Sequence, residues 1–247
     1  MTLSLFSYVT AIGPSLPASF LAIDGTPPYV YSVLPGGAGG TIDADTGVYT
    51  SPSIVPNTPT KQYDIIQVID DDLNTATKNI LVGTPLLLFC DILKNQLELA
   101  DSHIYIWDQK IIEPKDYTLY IAVSVLNPKV FANTNKFDSQ NEQEIQSINT
   151  VDKLQIDIIS RGPEAREKKN YVLMALNSQY SQRQQELNSF YIGKLPAGSQ
   201  FNNLSHIDGA AIPYRYQIDV NLQYFSKKVQ SADYYDNFQT PTILVNP

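Results

Sequence analysis

Residues 33–52 read VLPGGAGGTIDADTGVYTSP. Gly36, Gly37, Gly39 and Gly40 stand beside Thr41, Asp43, Asp45 and Thr46, a composition shared by phosphate cradles, calcium loops and turns between strands. A phosphate cradle needs a helix whose N-terminus meets the anion. Here Thr41, Ile42, Gly47, Val48 and Tyr49 read as strand and turn, and no Gly-Lys-Ser/Thr follows. A calcium hand needs acids at its first, third and fifth positions, a glycine at the sixth and a glutamate at the twelfth. Asp43, Asp45 and Gly47 fit that spacing loosely, but the twelfth position is Ile54. The stretch therefore reads as turn glycines in positive-φ positions, then a tight turn through Asp43 and Gly47 into a strand carrying Val48 and Tyr49.

The neighbouring sequence extends that all-β reading. Residues 16–23 (LPASFLAI) predict a strand, followed by a turn at Gly25-Thr26-Pro27-Pro28. Tyr29, Tyr31 and Val33 alternate, as do Tyr63, Ile65, Gln67 and Ile69, and residues 75–82 return after a turn at 70–74. Short strands punctuated by Gly, Pro and Asp predict a β-sandwich. Residues 1–85 contain two cations, Lys61 and Lys78, against seven aspartates, and no Arg, His, Cys, Trp or Glu. After Gly83-Thr84-Pro85 all five types appear, which marks a domain boundary between residues 1–84 and 85–247.

The second part mixes helix and strand. Thr84 and Pro85 form a helix start, with Phe89, Ile92, Leu93, Leu97 and Ala100 on one face. A strand is predicted to begin with Ile104 and Ile106, and another runs over 117–126 with Tyr117, Leu119, Ile121, Val123 and Val125 on one side. Leu154, Ile156 and Ile158 resume the alternation, and a last strand covers 214–224. Gly162-Pro163-Glu164 opens a second helix with Val172, Leu173, Leu176 and Tyr180 buried. Residues 127–150 are rich in Asn, Gln and Ser, and only Val130, Phe131, Phe137, Ile145 and Ile148 are large and apolar. Such a segment cannot close a core, yet it joins two strands, so it is expected to be an extended hairpin arm or loop. The expected fold class is a β-sandwich followed by an α+β layer, an antiparallel sheet with helices on one face.

The chain has 247 residues and a net charge of −8, with no basic footprint for non-specific nucleic-acid binding. No apolar run approaches the roughly 18 residues of a membrane span, and the N-terminus lacks the basic start of a signal peptide. Cys90 is the single cysteine, which excludes an intramolecular disulfide. It sits on the apolar helix face as a buried filler. His206 lies beside Asp208, but Ser199 and Ser205 have no nucleophile-elbow setting. His103 opens a strand, Trp107 reads as a packing residue, and Asp70-Asp71-Asp72 cannot converge on a metal from a strand. No catalytic residue, metal site or cofactor is expected, and the chain reads as a structural or interaction protein.

Two family resemblances follow from these residues. Residues 39–52, GGTIDADTGVYTSP, with the strand around residues 64–70, resemble bacterial and phage immunoglobulin-like modules, which implies a spacer or decoration domain without an active site. Residues 154–165, LQIDIISRGPEA, then a helix, a loop and the strand from Tyr214 to Phe225, are similar to tail-terminator and neck proteins of tailed bacteriophages. That resemblance implies a virion protein assembled in the host cytoplasm, forming a homo-oligomeric, usually hexameric, ring. Such a ring caps the tail tube and joins it to the neck connector, with DNA passing through the lumen without specific binding. An acidic wall suits such a conduit.

Within that reading, Phe131 and Phe137 are the expected anchors on a neighbouring subunit or the tube, with Ile145, Tyr234 and Tyr235 as further interface residues. Two alternatives compete. The first is a carbohydrate-binding or adhesion protein in which Tyr29, Tyr31 and Tyr49 stack on sugars. The second is another tail-tube or baseplate subunit.

Overall fold

The computed structural model describes residues 2–53, 62–106, 116–193, 200–205 and 214–231. The first part is built from nine strands: β1 (Ser4–Phe6), β2 (Ala11–Ile12), β3 (Pro17–Ser19), β4 (Leu21–Ile23), β5 (Val30–Val33), β6 (Thr41–Ile42), β7 (Val48–Thr50), β8 (Tyr63–Ile69) and β9 (Thr75–Val82). They form a four-stranded sheet β2-β9-β8-β5, a three-stranded sheet β3-β7-β6 and the pair β1-β4. All three contribute to one buried cluster that includes Phe20, Tyr31, Tyr49, Ile66, Val68 and Ile80. The strand expected at 16–23 is two strands in different sheets. Phe20 is the crossover: its N–H donates to Gly47 O while its ring is buried edge-on to Tyr49.

The second part begins with α1 (Pro85–Gln96), which has Thr84 as N-cap and Pro85 in its first turn. It stops short of Ala100: Leu97 caps it and Glu98 takes a positive φ. A short 3-10 turn, Asp101–His103, leads into β10 (Ile104–Ile106), and the long strands β11 (Tyr120–Asp138) and β12 (Gln143–Ser160) follow. Then come α2 (Glu164–Leu176), α3 (Gln179–Asn188), β13 (Phe190–Ile192), β14 (Asn202–Asn203) and β15 (Tyr214–Ser231). The sheet order is β10-β11-β12-β15-β13, with β14 beside β15. It is antiparallel except for β10, which runs parallel to β11.

Alternation assigns the faces. Ile121, Val123, Leu154, Ile156, Ile158, Ile218 and Val220 share one core with Phe89, Ile92 and Leu93 of α1 and Val172 and Leu176 of α2. Tyr117, expected on the same face, is exposed and precedes the strand. Tyr180, expected at the end of the second helix, belongs to α3. The chain breaks at Asn177, and Ser178 caps the new helix by accepting from Ser181 N–H.

The two parts meet through a polar seam that is buried at Gly13 and Asn188 and open at Thr10. Gly13 N–H donates to Asn188 Oδ1 at 2.7 Å, and Tyr180 Oη lies 3.0 Å from Asp91 Oδ2 and 3.1 Å from Thr10 Oγ1. Burial, then the charge of Asp91, pushes the Tyr180 phenol up to about 12. Ala11 and Leu81 add apolar contacts to the second core. No helix among the described residues is long and apolar enough to cross a membrane.

Candidate assembly surface

The glycine-rich loop does cradle an anion, and the anion is internal. Gly39 and Gly40 donate their N–H groups to the carboxylate of Asp64 at 3.1 and 2.8 Å, and Tyr49 Oη donates to the same carboxylate at 2.6 Å. A side chain at Gly37 would collide with Asp64, and one at Gly40 would collide with the Tyr49 ring. Asp43 accepts from Asp45 N–H, Thr46 N–H and the Thr46 hydroxyl, which makes the tight turn, and Gly47 adopts φ 68°. The loop's donors are thus committed to folding the first module.

The other sequence candidates also resolve into local structure. Asp70 accepts from Thr26 N–H, Asn74 N–H and the Asn74 amide, so the three-aspartate run builds a turn. Cys90 is buried, and burial followed by the neighbouring Asp91 charge pushes its thiol up to about 12. His103 Nε2 sits 3.1 Å from Asp116 Oδ2. Trp107, His206, Asp208, Tyr234 and Tyr235 lie outside the described residues. Among the described residues, no three His, Cys, Asp or Glu side chains gather as metal ligands. Tyr49 and Tyr31 are core residues, and Tyr31 Oη accepts from Ala22 N–H. This overturns the expectation that these two rings stack on sugars, since neither presents a face to solvent.

The feature that stands out is the arm. β11 and β12 pair from the core to the turn at 139–142 with two bulges, at Leu126 and Phe131, and β15 follows β12 over its whole length. Beyond Asn127, where β11 is exposed, this ribbon of three strands extends for about 40 Å. Residues 127–150 are therefore the expected hairpin, with a third strand that the sequence reading stopped at Phe225.

Polar side chains fasten the ribbon. Glu144 accepts from the amides of Asn135, Gln146 and Gln230, which joins all three strands. The Gln146, Gln230 and Asn135 amides, in that order, hold its carboxyl below the usual range. Asp138 closes the turn by accepting from Gln140 N–H and from the backbone and side-chain amides of Asn141. At the base, Tyr224 Oη donates to Asp152 at 3.0 Å.

Register decides which apolar residues meet. Lys136, Ile145 and Val229 form one row across the ribbon, and Ala132, Asn149 and Phe225 another, both on the face away from the helices. Phe137, Glu144 and Gln230 form a row on the opposite face, as do Val130, Thr150 and Tyr224. Phe137 and Ile145 thus lie on opposite faces, while Phe131 occupies a bulge between Val130 and Ala132. Phe131 is 59% exposed and Phe225 63%, and Val130, Phe137 and Val229 are also exposed. Phe225 and Val229 are the residues that sequence reasoning missed. Their polar neighbours Ser226, Lys227 and Lys228 conceal the strand, and both residues fall on the face opposite Leu222 and Tyr224, where the apolar alternation does not reach.

The ribbon thus presents apolar side chains on both faces. The family model described as phage neck terminator protein matches residues 71–246, and the chain belongs to that family. It is accordingly a structural protein of the phage head–tail junction. The match begins in the turn between β8 and β9, so it includes the strand leading into α1. Among curated proteins, no match to the chain is found.

Proposed function

We propose that the chain is the subunit of a ring, hexameric as in the resemblance above, that terminates the tail tube and joins it to the neck connector. Residues 85–247 form the ring domain, and residues 1–84 an immunoglobulin-like module that decorates the virion surface. The composition break at Gly83-Thr84-Pro85 and the two separate clusters of buried residues support this division. DNA passes through the lumen without specific binding, consistent with the net charge of −8.

The observation that carries the reading is the arm. Ordered strands that expose Val130, Phe131, Phe137, Phe225 and Val229 mark a surface that another protein covers. Phe131, Phe137 and Ile145 are contacts to a neighbouring subunit or the tube, made from different faces of the ribbon.

The test shortens the arm in register. Residues 130–150 are replaced by Asn-Gly between the paired Lys129 and Val151, a sequence suited to a two-residue hairpin turn. The core is untouched, so the shortened protein is expected to fold and to melt cooperatively. It is expected to lose ring formation, seen by electron microscopy and native mass spectrometry, and to leave tails uncapped. Normal rings and normal tail length in the shortened variant would refute the proposal.

A further inference from the structure

The chain carries a projection and a matching concavity on opposite edges of one sheet. A groove of about 380 Å³ opens between α2, α3 and β13, with Leu176, Phe190, Ile192 and Val220 along its floor and Gln182 and Glu186 on its rim. It lies on the helix-covered face, and β13 is the end strand of the sheet. At the other side of the arm, among the described residues, β11 beyond Val123 has no outer strand partner.

The register places these two features at the same height. Phe190 pairs with Tyr224, Tyr224 with Thr150, and Thr150 with Val130. Val130, on the helix-side face, and the bulged Phe131 next to it therefore stand level with the groove. They are three strand spacings away, about 14 Å, so they cannot enter the groove of their own chain. A second copy displaced sideways along this row, with its arm pointing the same way, brings its Val130 and Phe131 to the groove of the first.

We infer that the groove between α2, α3 and β13 receives the Val130–Phe131 edge of the arm of a neighbouring copy. The two surfaces differ, so the contact is head-to-tail, and repetition with a constant rotation closes a ring. This inference rests on the ring reading and specifies which edges meet.

The test is cross-linking of a chain carrying both Phe131→Cys and Gln182→Cys, using a bismaleimide of about 10 Å reach, a span chosen to exceed one strand-to-strand spacing. The parent chain, with only the buried Cys90, is the control. The double variant is expected to give a ladder ending at the ring's subunit number, and each single variant no ladder. Rings visible by electron microscopy that give no ladder, or dimers formed by Phe131→Cys alone, overturn this contact while the ring reading stands. Absence of rings from the parent chain, alone or with tail tubes, overturns the ring reading and this contact with it.

Discussion

The internal anion cradle makes a quantitative prediction about the first module. Asp64 is fully buried and accepts from Gly39 N–H, Gly40 N–H and Tyr49 Oη. In Asp64→Ala these donors lose their acceptor unequally. Gly39 is exposed and gains water, Gly40 is half-buried, and Tyr49 is fully buried with its hydroxyl stranded. A stranded buried donor costs about 1–3 kcal/mol, so one complete loss and one partial loss sum to roughly 3 kcal/mol. For a cooperative unit of this size each kcal/mol lowers Tm by about 2–4 °C, giving a drop of about 6–12 °C. Tyr49→Phe removes the hydroxyl without stranding it and is expected to cost only about 1 kcal/mol. In Asp64→Ala combined with Tyr49→Phe, the loss should therefore be less than the sum of the two. Thermal and urea melts followed by circular dichroism provide the readout. A loss below about 0.5 kcal/mol in Asp64→Ala, or strict additivity in the double variant, would show that the loop does not depend on this carboxylate.

Two further outcomes follow from the seam and from the turns. Tyr180→Phe removes the hydroxyl shared by Asp91, Asn95 and Thr10 and is expected to cost about 1–2 kcal/mol, with faster proteolysis at residues 83–85. Unchanged cleavage and an unchanged melt would mean that the apolar contacts alone hold the two parts together. Asp70 sits below its usual carboxylate range through the Asn74 side chain first, so the folded chain binds fewer protons there than the unfolded chain. Its contribution is present above the ordinary value of 3.8 and is lost as pH falls through the lower folded value. Urea midpoints measured from pH 6 to below 3.8 should decline, and decline less in Asp70→Asn. Parallel curves for the two proteins would remove Asp70 from the acid response.

Much of the second core was legible because one-sided burial leaves an alternation in the sequence. Ile218, Val220 and Leu222 against Gln217, Asp219 and Asn221 show it, and so does the Thr84-Pro85 helix start. α3 left no such trace. Its sequence QYSQRQQELN buries Ser181, Gln184 and Asn188, and what recommends those residues is hydrogen bonding: Asn188 to Gly13 and Gln184, and Ser181 to Ser178 and Gln185. A search for apolar periodicity passes over a helix whose buried face is polar. The arm hid its strands for a different reason. Both of its faces are wet in the single chain, so no face was selected to be apolar, and pairing rather than burial sets its structure. The split of residues 16–23 between two sheets depends on where Phe20 packs, which is a tertiary fact.

The arm's internal bonding bears on how it assembles. A long polar segment invites the expectation that a neighbour orders it, with the backbone losing roughly 1–2 kcal/mol of conformational freedom per residue on contact. Here Glu144 ties three strands together, Asp138 fixes the turn, and two bulges set the register before any partner arrives. That ordering cost falls on folding and not on association, so a contact of modest area is enough to hold a subunit. A preformed ribbon also transmits position: a neighbour gripping Val130 and Phe131 fixes the arm's tip about 25 Å further out, because the strands between them are paired throughout. Glu144→Ala separates the two roles. It should loosen the tip, seen as faster amide exchange at residues 143–146 than at 154–158, while leaving the edge at Val130 intact. Rings should then form with disordered tips. If Glu144→Ala abolishes rings outright while the core melts normally, the tip itself makes the subunit contact, and the edge at Val130 does not.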